Sequence, residues 1–402
     1  MKFLHLADLH LGKRVNGFDL LEDQRYILEQ ILALCDSNKV DAVVLAGDIY
    51  DAPVPPAAAC TLLDWFLTQL SARRIAVLAV SGNHDSAERL DYAAGLLANQ
   101  NVYIAGQFRG APRQIVLSDR FGPVEFTLLP FVRTATVRHY MPEADLPDYD
   151  SAVAAALSAC APSAERRVLV AHQMVVAGLC PPQLSGSETA PLTIGTVDSV
   201  DAAHFAKFSY TALGHIHRAQ RVGSDTVRYA GAPLCYHLDE CGMEKSATLV
   251  RLGRRGVDDI ETLPLHPRRA MRHIVGPLAK LVEHPDDTSD YIWATLTDPT
   301  PQPDAMAVLR AAYPNAMRLD YRPQGADLQH AEVLVNPRRL GDLGADARVD
   351  DKILPEFLGE RKAVRRAQRF DGGNIRQIHA LPPLFSWRNK NAPRPGRKRP
   401  SP

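Results

Sequence analysis

The spacing of apolar positions changes period repeatedly along the first hundred residues. Residues 2–7 (KFLHLA) form a short apolar run of strand length. Residues 20–39 then place Ile27, Leu28, Ile31, Leu34 and Cys35 at helical intervals. A second run, 41–46 (DAVVLA), closes at once on Gly47; helical spacing returns over 57–70, and a third run follows at 75–80 (IAVLAV). Apolar strands alternating with amphipathic helices predict a parallel sheet covered by helices. Further strand-like runs lie at 101–105, 114–117, 124–129, 167–171, 208–213, 226–230 and 247–251. Several are joined by short turns, which makes part of the sheet antiparallel. The expected class is α/β, with two stacked mixed β-sheets flanked by helices.

Near Leu265 the texture changes. LHPRRAMRHIVG reads as a strand, 277–282 as a helix, 291–297 as a strand, 304–312 as a helix and 316–321 as a strand. A unit of about sixty residues is small for a domain that stands alone, so it is expected to pack on the first as a small α+β capping domain. The organisation read from the chain is a main domain over 1–265, a capping domain over 266–335, a partner-binding segment over 336–385 and a tail over 386–402. One amphipathic helix is expected around 350–370. The tail holds six basic residues, four prolines and no acid, a composition that predicts disorder.

Composition narrows the function classes. Forty-six basic residues balance 46 acidic ones. A protein that grips nucleic acid alone over a long footprint is more basic than this. Any polyanion it handles is therefore expected to be held by a local patch, bound metal or a partner. Six cysteines with no CxxC pair argue against a zinc ribbon and a disulfide framework, and for reduced thiols in the cytoplasm. The start, MKFLHLADLH, turns polar too early for a signal peptide, and no apolar stretch approaches the roughly 20 residues of a membrane span.

The chemistry collects where strands end. The first run ends in Asp8-Leu9-His10, the second in Gly47-Asp48, and the third in Gly82-Asn83-His84-Asp85. VLVAHQ ends in His172, and YTALGHIHRAQ places His215 and His217 two apart. Parallel strands that present their C-terminal ends along one edge would bring these groups into the crevice where open α/β sheets bind ligands. Oxygen and imidazole donors without thiolate suit manganese, iron or zinc. There are more donors than one ion needs; two ions roughly 3.5–4 Å apart would use them, sharing a carboxylate, lowering the pKa of a water and clamping a phosphoryl oxygen. His84 is read as the acid that protonates the leaving oxygen, with Asp85 orienting its ring or acting as a cap. Asp51, before Pro53, reads as a turn or helix N-cap residue.

The ordered blocks D-x-H, GD-x-x-D, GNHD, H and GH-x-H resemble the calcineurin-like metallophosphoesterase superfamily. HLADLHLGK, ALGHIHRAQ, RYAGAP and LDECG narrow the likeness to the nuclease-subunit family of the bacterial SbcC–SbcD complexes. That resemblance implies two manganese ions: Asp8, His10 and His217 at one, Asn83, His172 and His215 at the other, and Asp48 bridging. It implies DNA exonuclease and endonuclease action at double-stranded ends and hairpins, a homodimer, and a partner, the SbcC ATPase, docked by the C-terminal helical segment. A phosphatase or cyclic-nucleotide phosphodiesterase on the same fold is the first alternative, and a DNA-tethering subunit with weak catalysis the second.

Overall fold

The computed structural model describes residues 1–178, 180–186 and 199–322; the expected helix at 350–370 and the basic tail lie outside them. Two six-stranded sheets form the main body. The first runs, in spatial order, Val257–Leu265, Lys245–Leu252, Lys2–Leu6, Ala42–Ala46, Ala76–Val80, Val102–Ala105. The second runs Gln220–Val222, Ser224–Tyr229, Tyr210–Gly214, Arg166–His172, Gly122–Leu129, Arg113–Asp119. Both have a parallel centre; the second is antiparallel at both edges, whereas the first is antiparallel on one side only and ends on the parallel strand Val102–Ala105, as the mixture of long and short connections predicts.

Strand alternation explains why the central strands are apolar throughout. On the first sheet, Leu4, Val43, Leu45 and Val77 point outward onto the helices Leu21–Asn38 and Ala57–Ala72, against Ile27, Ile31 and Phe66. Phe3, Val44, Leu78 and Val80 point inward and meet Phe126, Leu128, Val168 and Tyr210 of the second sheet. Phe3 lies edge-on to Phe126 with ring centroids 5.8 Å apart. The outer face of the second sheet is covered by Thr134–Tyr140 and Tyr149–Ser158, whose Val137, Ala152 and Val153 pack on Leu169 and Leu213. The sequence reading omits these two helices and the edge strand Val257–Leu265. In that strand the acidic and hydroxyl residues Asp258, Asp259, Glu261 and Thr262 interrupt the apolar ones, so it carries no apolar run to find.

The unit after Leu265 is a three-stranded parallel sheet, Met271–Gly276, Tyr291–Leu296, Ala316–Tyr321, connected through the helices Leu278–Glu283 and Ala305–Ala312. Its helices alternate with its strands in the order read from the sequence, and the strands pair parallel. It seats on the main body at Asp23. Arg269 reaches that carboxylate with two N–H donors at 3.0 and 2.6 Å, and the Tyr291 hydroxyl donates to it at 2.8 Å.

At the pole where the Arg166–His172 strand begins, Arg166 joins the two sheets. Its guanidinium donates to both Asp119 oxygens at 2.7 and 2.9 Å, to Gly122 O at 2.6 Å and to Gly253 O at 3.0 Å. The hydrogen bonds from Arg166 hold the Asp119 carboxyl well below the usual carboxylate range, against the opposing effect of burial. Asp119→Ala strands a buried guanidinium and is expected to cost about 3–5 kcal/mol in urea titrations at pH 7. Because the native carboxyl is depressed, its stabilising effect is complete above the ordinary carboxyl range and is lost as pH falls below it. The gap between wild type and variant should therefore narrow in acid; a gap that is constant with pH contradicts the ion pair.

Candidate metal centre

The C-terminal ends of strands from both sheets meet at one edge, and the loops that follow them carry the polar side chains. His172 Nδ1 donates to Ala46 O at 2.8 Å, a bond that ties the second sheet to the first. Gly47 makes room for it: a Cβ at that position would overlap the His172 ring, and the backbone there is left-handed (φ 85°). Gly82 lies against Asp48 in the same way, where a Cβ would collide with the carboxylate and the backbone nitrogen.

Four of the expected site residues occupy the left-handed region that side chains avoid: Asp8 (φ 54°), His10 (φ 43°), Asp48 (φ 48°) and His215 (φ 104°). Each such residue costs on the order of 1–3 kcal/mol and persists only where its surroundings over-determine it. Here main-chain bonds do so: Asp8 N–H donates to Gly47 O at 3.0 Å and His10 N–H to Asp48 O at 2.9 Å. The Asp8 carboxylate accepts the His215 N–H at 3.0 Å, and Asp48 accepts the His84 N–H at 2.9 Å.

The donor atoms form two groups around Asp48. His10 Nε2 and His217 Nε2 face each other at 3.1 Å, with Asp48 Oδ2 3.7 Å from His10. Asn83 Oδ1 lies 3.0 Å from both His172 Nε2 and His215 Nδ1, and Asp48 Oδ2 is 3.3 Å from His172 Nε2. The donor atoms of Asp8, His10 and His217, and likewise those of Asp8, Asp48 and His172, lie within 4.8 Å of one another. Adjacent donors around an octahedral ion with bonds of about 2.1 Å sit about 3.0 Å apart.

Protonation states make the case for a cation sharper. His217 Nδ1 is 3.0 Å from Glu240 Oε1, and Glu240 is also paired with Lys245. Burial would raise the Glu240 carboxyl, but His217 and Lys245 outweigh it and hold it down at about 2. An ionised carboxylate only accepts, so His217 Nδ1 carries the hydrogen and Nε2 presents a lone pair. His10 Nδ1 lies 3.3 Å from the Asp51 carboxylate, which Lys13 Nζ approaches at 2.8 Å, but makes no hydrogen bond to it. The His217 lone pair faces His10 Nε2 at 3.1 Å, a separation that suits two donors on one cation. His172 differs: Nδ1 donates to a carbonyl, Nε2 is turned to two oxygen acceptors, and although burial acts to lower it, the Asp48 carboxylate pushes the imidazole up to about 9. Asp8 Oδ2 is buried with no hydrogen-bond partner. These donors fit divalent ions.

Burial pushes the Asp8 carboxyl up, whereas Asp48, although burial acts the same way on it, is held far below the usual range by His172, His10 and His84. Asp48 is thus the carboxylate at the electrostatic centre, flanked by both donor groups.

Two expectations change. Asp51 is not a helix N-cap, since the next helix begins at Ala57 after Pro56; it lies in a bend, and its carboxylate stands 3.3 Å behind His10 Nδ1. Asp85 does not touch the His84 ring. His84 Nδ1 donates to Asp51 O at 3.0 Å, while the Asp85 carboxylate accepts the N–H groups of Ile49 (3.1 Å), Tyr50 (2.8 Å) and Gly82 (2.9 Å). It is a backbone clamp that locks the Asp48 loop to the Asn83 loop. Glu240 is the supporting residue that sequence reasoning passes over. It lies within LDECG, but nothing in the spacing ties a carboxylate there to a histidine 23 residues earlier.

Comparison with known proteins agrees with this geometry. The profile of the calcineurin-like phosphoesterase family matches residues 1–176, and that of the type 5 capsule protein repressor C-terminal domain matches residues 267–343. The SbcD subunit of the SbcCD nuclease of Staphylococcus epidermidis is 32% identical over 326 residues, covering 79% of this chain and 85% of that protein. Among solved structures, a dimetal phosphatase from Danio rerio aligns at 15% identity and TM-score 0.37, covering 66% of this chain and 99% of its own. A protein of Thermus thermophilus aligns at 16% identity with the same TM-score, 0.37, and the same coverages, 66% and 99%. The fold and its donor set are those of a metal-dependent phosphoesterase. Within that class, the chain belongs to the SbcD family of SbcCD nuclease subunits.

Asp85→Ala would leave three main-chain donors without their acceptor. The expected loss of stability is on the order of 3 kcal/mol by urea unfolding, with metal content reduced because both loops move. Unchanged stability together with an altered pH–rate profile would instead return Asp85 to the imidazole.

Proposed function

We propose that this protein is the nuclease subunit of an SbcC–SbcD complex: a manganese-dependent DNA exonuclease and endonuclease that hydrolyses phosphodiester bonds at double-stranded ends and hairpins in DNA repair, replication and recombination. The carrying observation is the pair of donor groups on either side of Asp48, each with donors spaced as around a single ion. Asp8, His10 and His217 would hold one ion, Asn83, His172 and His215 the other, and Asp48 both. Two manganese ions there would supply hydroxide near neutral pH and a clamp for the phosphoryl oxygens.

The chain's own residues do the rest. Carboxylate and carbonyl partners fix the imidazole tautomers before substrate arrives, so no reorganisation is needed at the moment of reaction. His84 is half-buried at the mouth, beside His10 with ring centroids 4.8 Å apart. Its Nδ1 is engaged by the Asp51 carbonyl, which leaves Nε2 to carry the proton to the leaving oxygen. The SbcC ATPase is the proposed partner, a homodimer the proposed assembly and the nucleoid-containing cytoplasm the proposed location. The proposed docking segment, 336–385, lies outside the described residues.

Purified protein with and without SbcC and ATP should cut duplex ends and hairpins with manganese far better than with magnesium, because four imidazoles suit the softer ion. Equal rescue by magnesium would overturn the metal assignment, and cleavage of a small phosphodiester but not DNA would favour the phosphodiesterase alternative.

His84→Ala should keep its metal, since His84 is the residue outside both donor groups, while turnover of DNA falls by roughly 10²–10⁴. An ester with a nitrophenolate leaving group needs little protonation and should lose far less. Metal loss in this variant would make His84 a ligand, an arrangement that its proximity to His10 and Asp48 would permit.

A further inference from the structure

We propose that the cleft beside His217, centred on Arg228 and Arg218, is a phosphate subsite that holds the nucleic-acid backbone next to the bond being cut. This rests on the nuclease reading above. The cleft has a volume of about 790 Å³ and is lined by His217, Arg218, Arg228, Gly231, Glu244 and Lys245, so it opens directly beside one member of the metal centre.

Its charges are unevenly matched. Lys245 is neutralised by Glu240, and Arg221, at the rim, by Asp225 at 2.7 Å. Arg218 donates only to the neutral side chain of Gln183 among the described residues. Arg228 has no hydrogen bond or ion pair with any described residue, and its Nε is buried without a partner. In the strand Ser224–Tyr229, Val227 and Tyr229 face the outer core, so alternation turns Arg228 toward the space between the sheets, where its charge reaches His5 and Tyr210. Its cross-strand neighbour is Arg221, a like charge that would normally be selected against.

A half-buried guanidinium with no ion pair of its own is costly: the Asp225 carboxylate, which feels its charge, is held by Arg221. An anion with several oxygens supplies the missing partner. Guanidinium geometry matches phosphate, and two such groups at the side of a phosphoryl-cleaving centre place a neighbouring backbone phosphate without reading a base. Among the described residues Glu244 is the one carboxylate lining the cleft, and it is exposed.

The test uses the full chain and Arg228→Met, with Arg218→Ala as a surface variant that does not depend on core packing. Affinity for a labelled duplex is read by anisotropy across a salt series with calcium in place of manganese, alongside metal content and turnover of DNA and of bis(nitrophenyl) phosphate. Each variant should retain its metal and bind duplex about ten-fold more weakly at low salt, with the salt slope reduced by about one. The loss should fall on KM for DNA and exceed the loss on the small ester about ten-fold. Arg228→Lys should recover part of the affinity. Variants whose duplex affinity and salt slope match the wild type overturn the subsite while leaving the nuclease reading intact. A wild type that neither binds nor cuts DNA overturns the nuclease reading itself, and is recognised before any variant is compared.

Discussion

The whole centre depends on how closely two sheets approach at one edge. The hydrogen bond from His172 to the Ala46 carbonyl can form only because Gly47 carries no side chain, and the opposite wall closes on Asp48 only because Gly82 carries none. Gly214 completes the approach, for a Cβ there would strike the Ala46 carbonyl. The apolar layer between the sheets sets the general spacing, and these glycines set the local one. Donors that come from separate strands thereby fall within one another's reach.

Behind the donors stands a ring of groups that never faces substrate. Glu240 with Lys245 and the Ala46 carbonyl each hold one imidazole by its Nδ1, Asp51 with Lys13 stands behind His10, and Asp85 gathers three main-chain donors from two loops. Most of these partners are charged, and the inner donors are deeply buried. Such groups are tolerable only when every one is matched. Two imidazole Nε2 atoms aimed at one point and an unpartnered Asp8 oxygen mark the place where the match is completed from outside the chain.

Much of this was readable from the sequence, for identifiable reasons. Strands buried on both faces are continuous apolar runs, and ligand-bearing loops follow them directly, so Asp8, Asp48, Asn83, His172 and His215 could be found by looking at what ends each run. The edge strand Val257–Leu265 could not, because exposure on an edge erases the apolar signal. Nor could the roles of Asp51, Asp85 and Glu240. Asp85 adjoins His84 in the sequence, yet its carboxylate turns to the backbone of Ile49 and Tyr50, and the ring is held by a carbonyl 33 residues earlier. Hydrogen-bond partners at such separations are set by packing, and no local spacing encodes them. Arg228 is invisible for a related reason: its isolation among the described residues is a property of what does not surround it.

The donors also span nearly the full length of the main domain, with His10 and His217 separated by 207 positions. A chain emerging from synthesis holds Asp8, Asp48 and Asn83 long before the strands that carry His172 and His217 exist. Contacts this remote form late in folding, after most loop-closure entropy has been overcome. The centre therefore cannot assemble on a nascent or truncated chain, and hydrolytic capacity arises only once both sheets are complete. This topology therefore delays the appearance of a metal-dependent hydrolytic centre until the rest of the domain is in place.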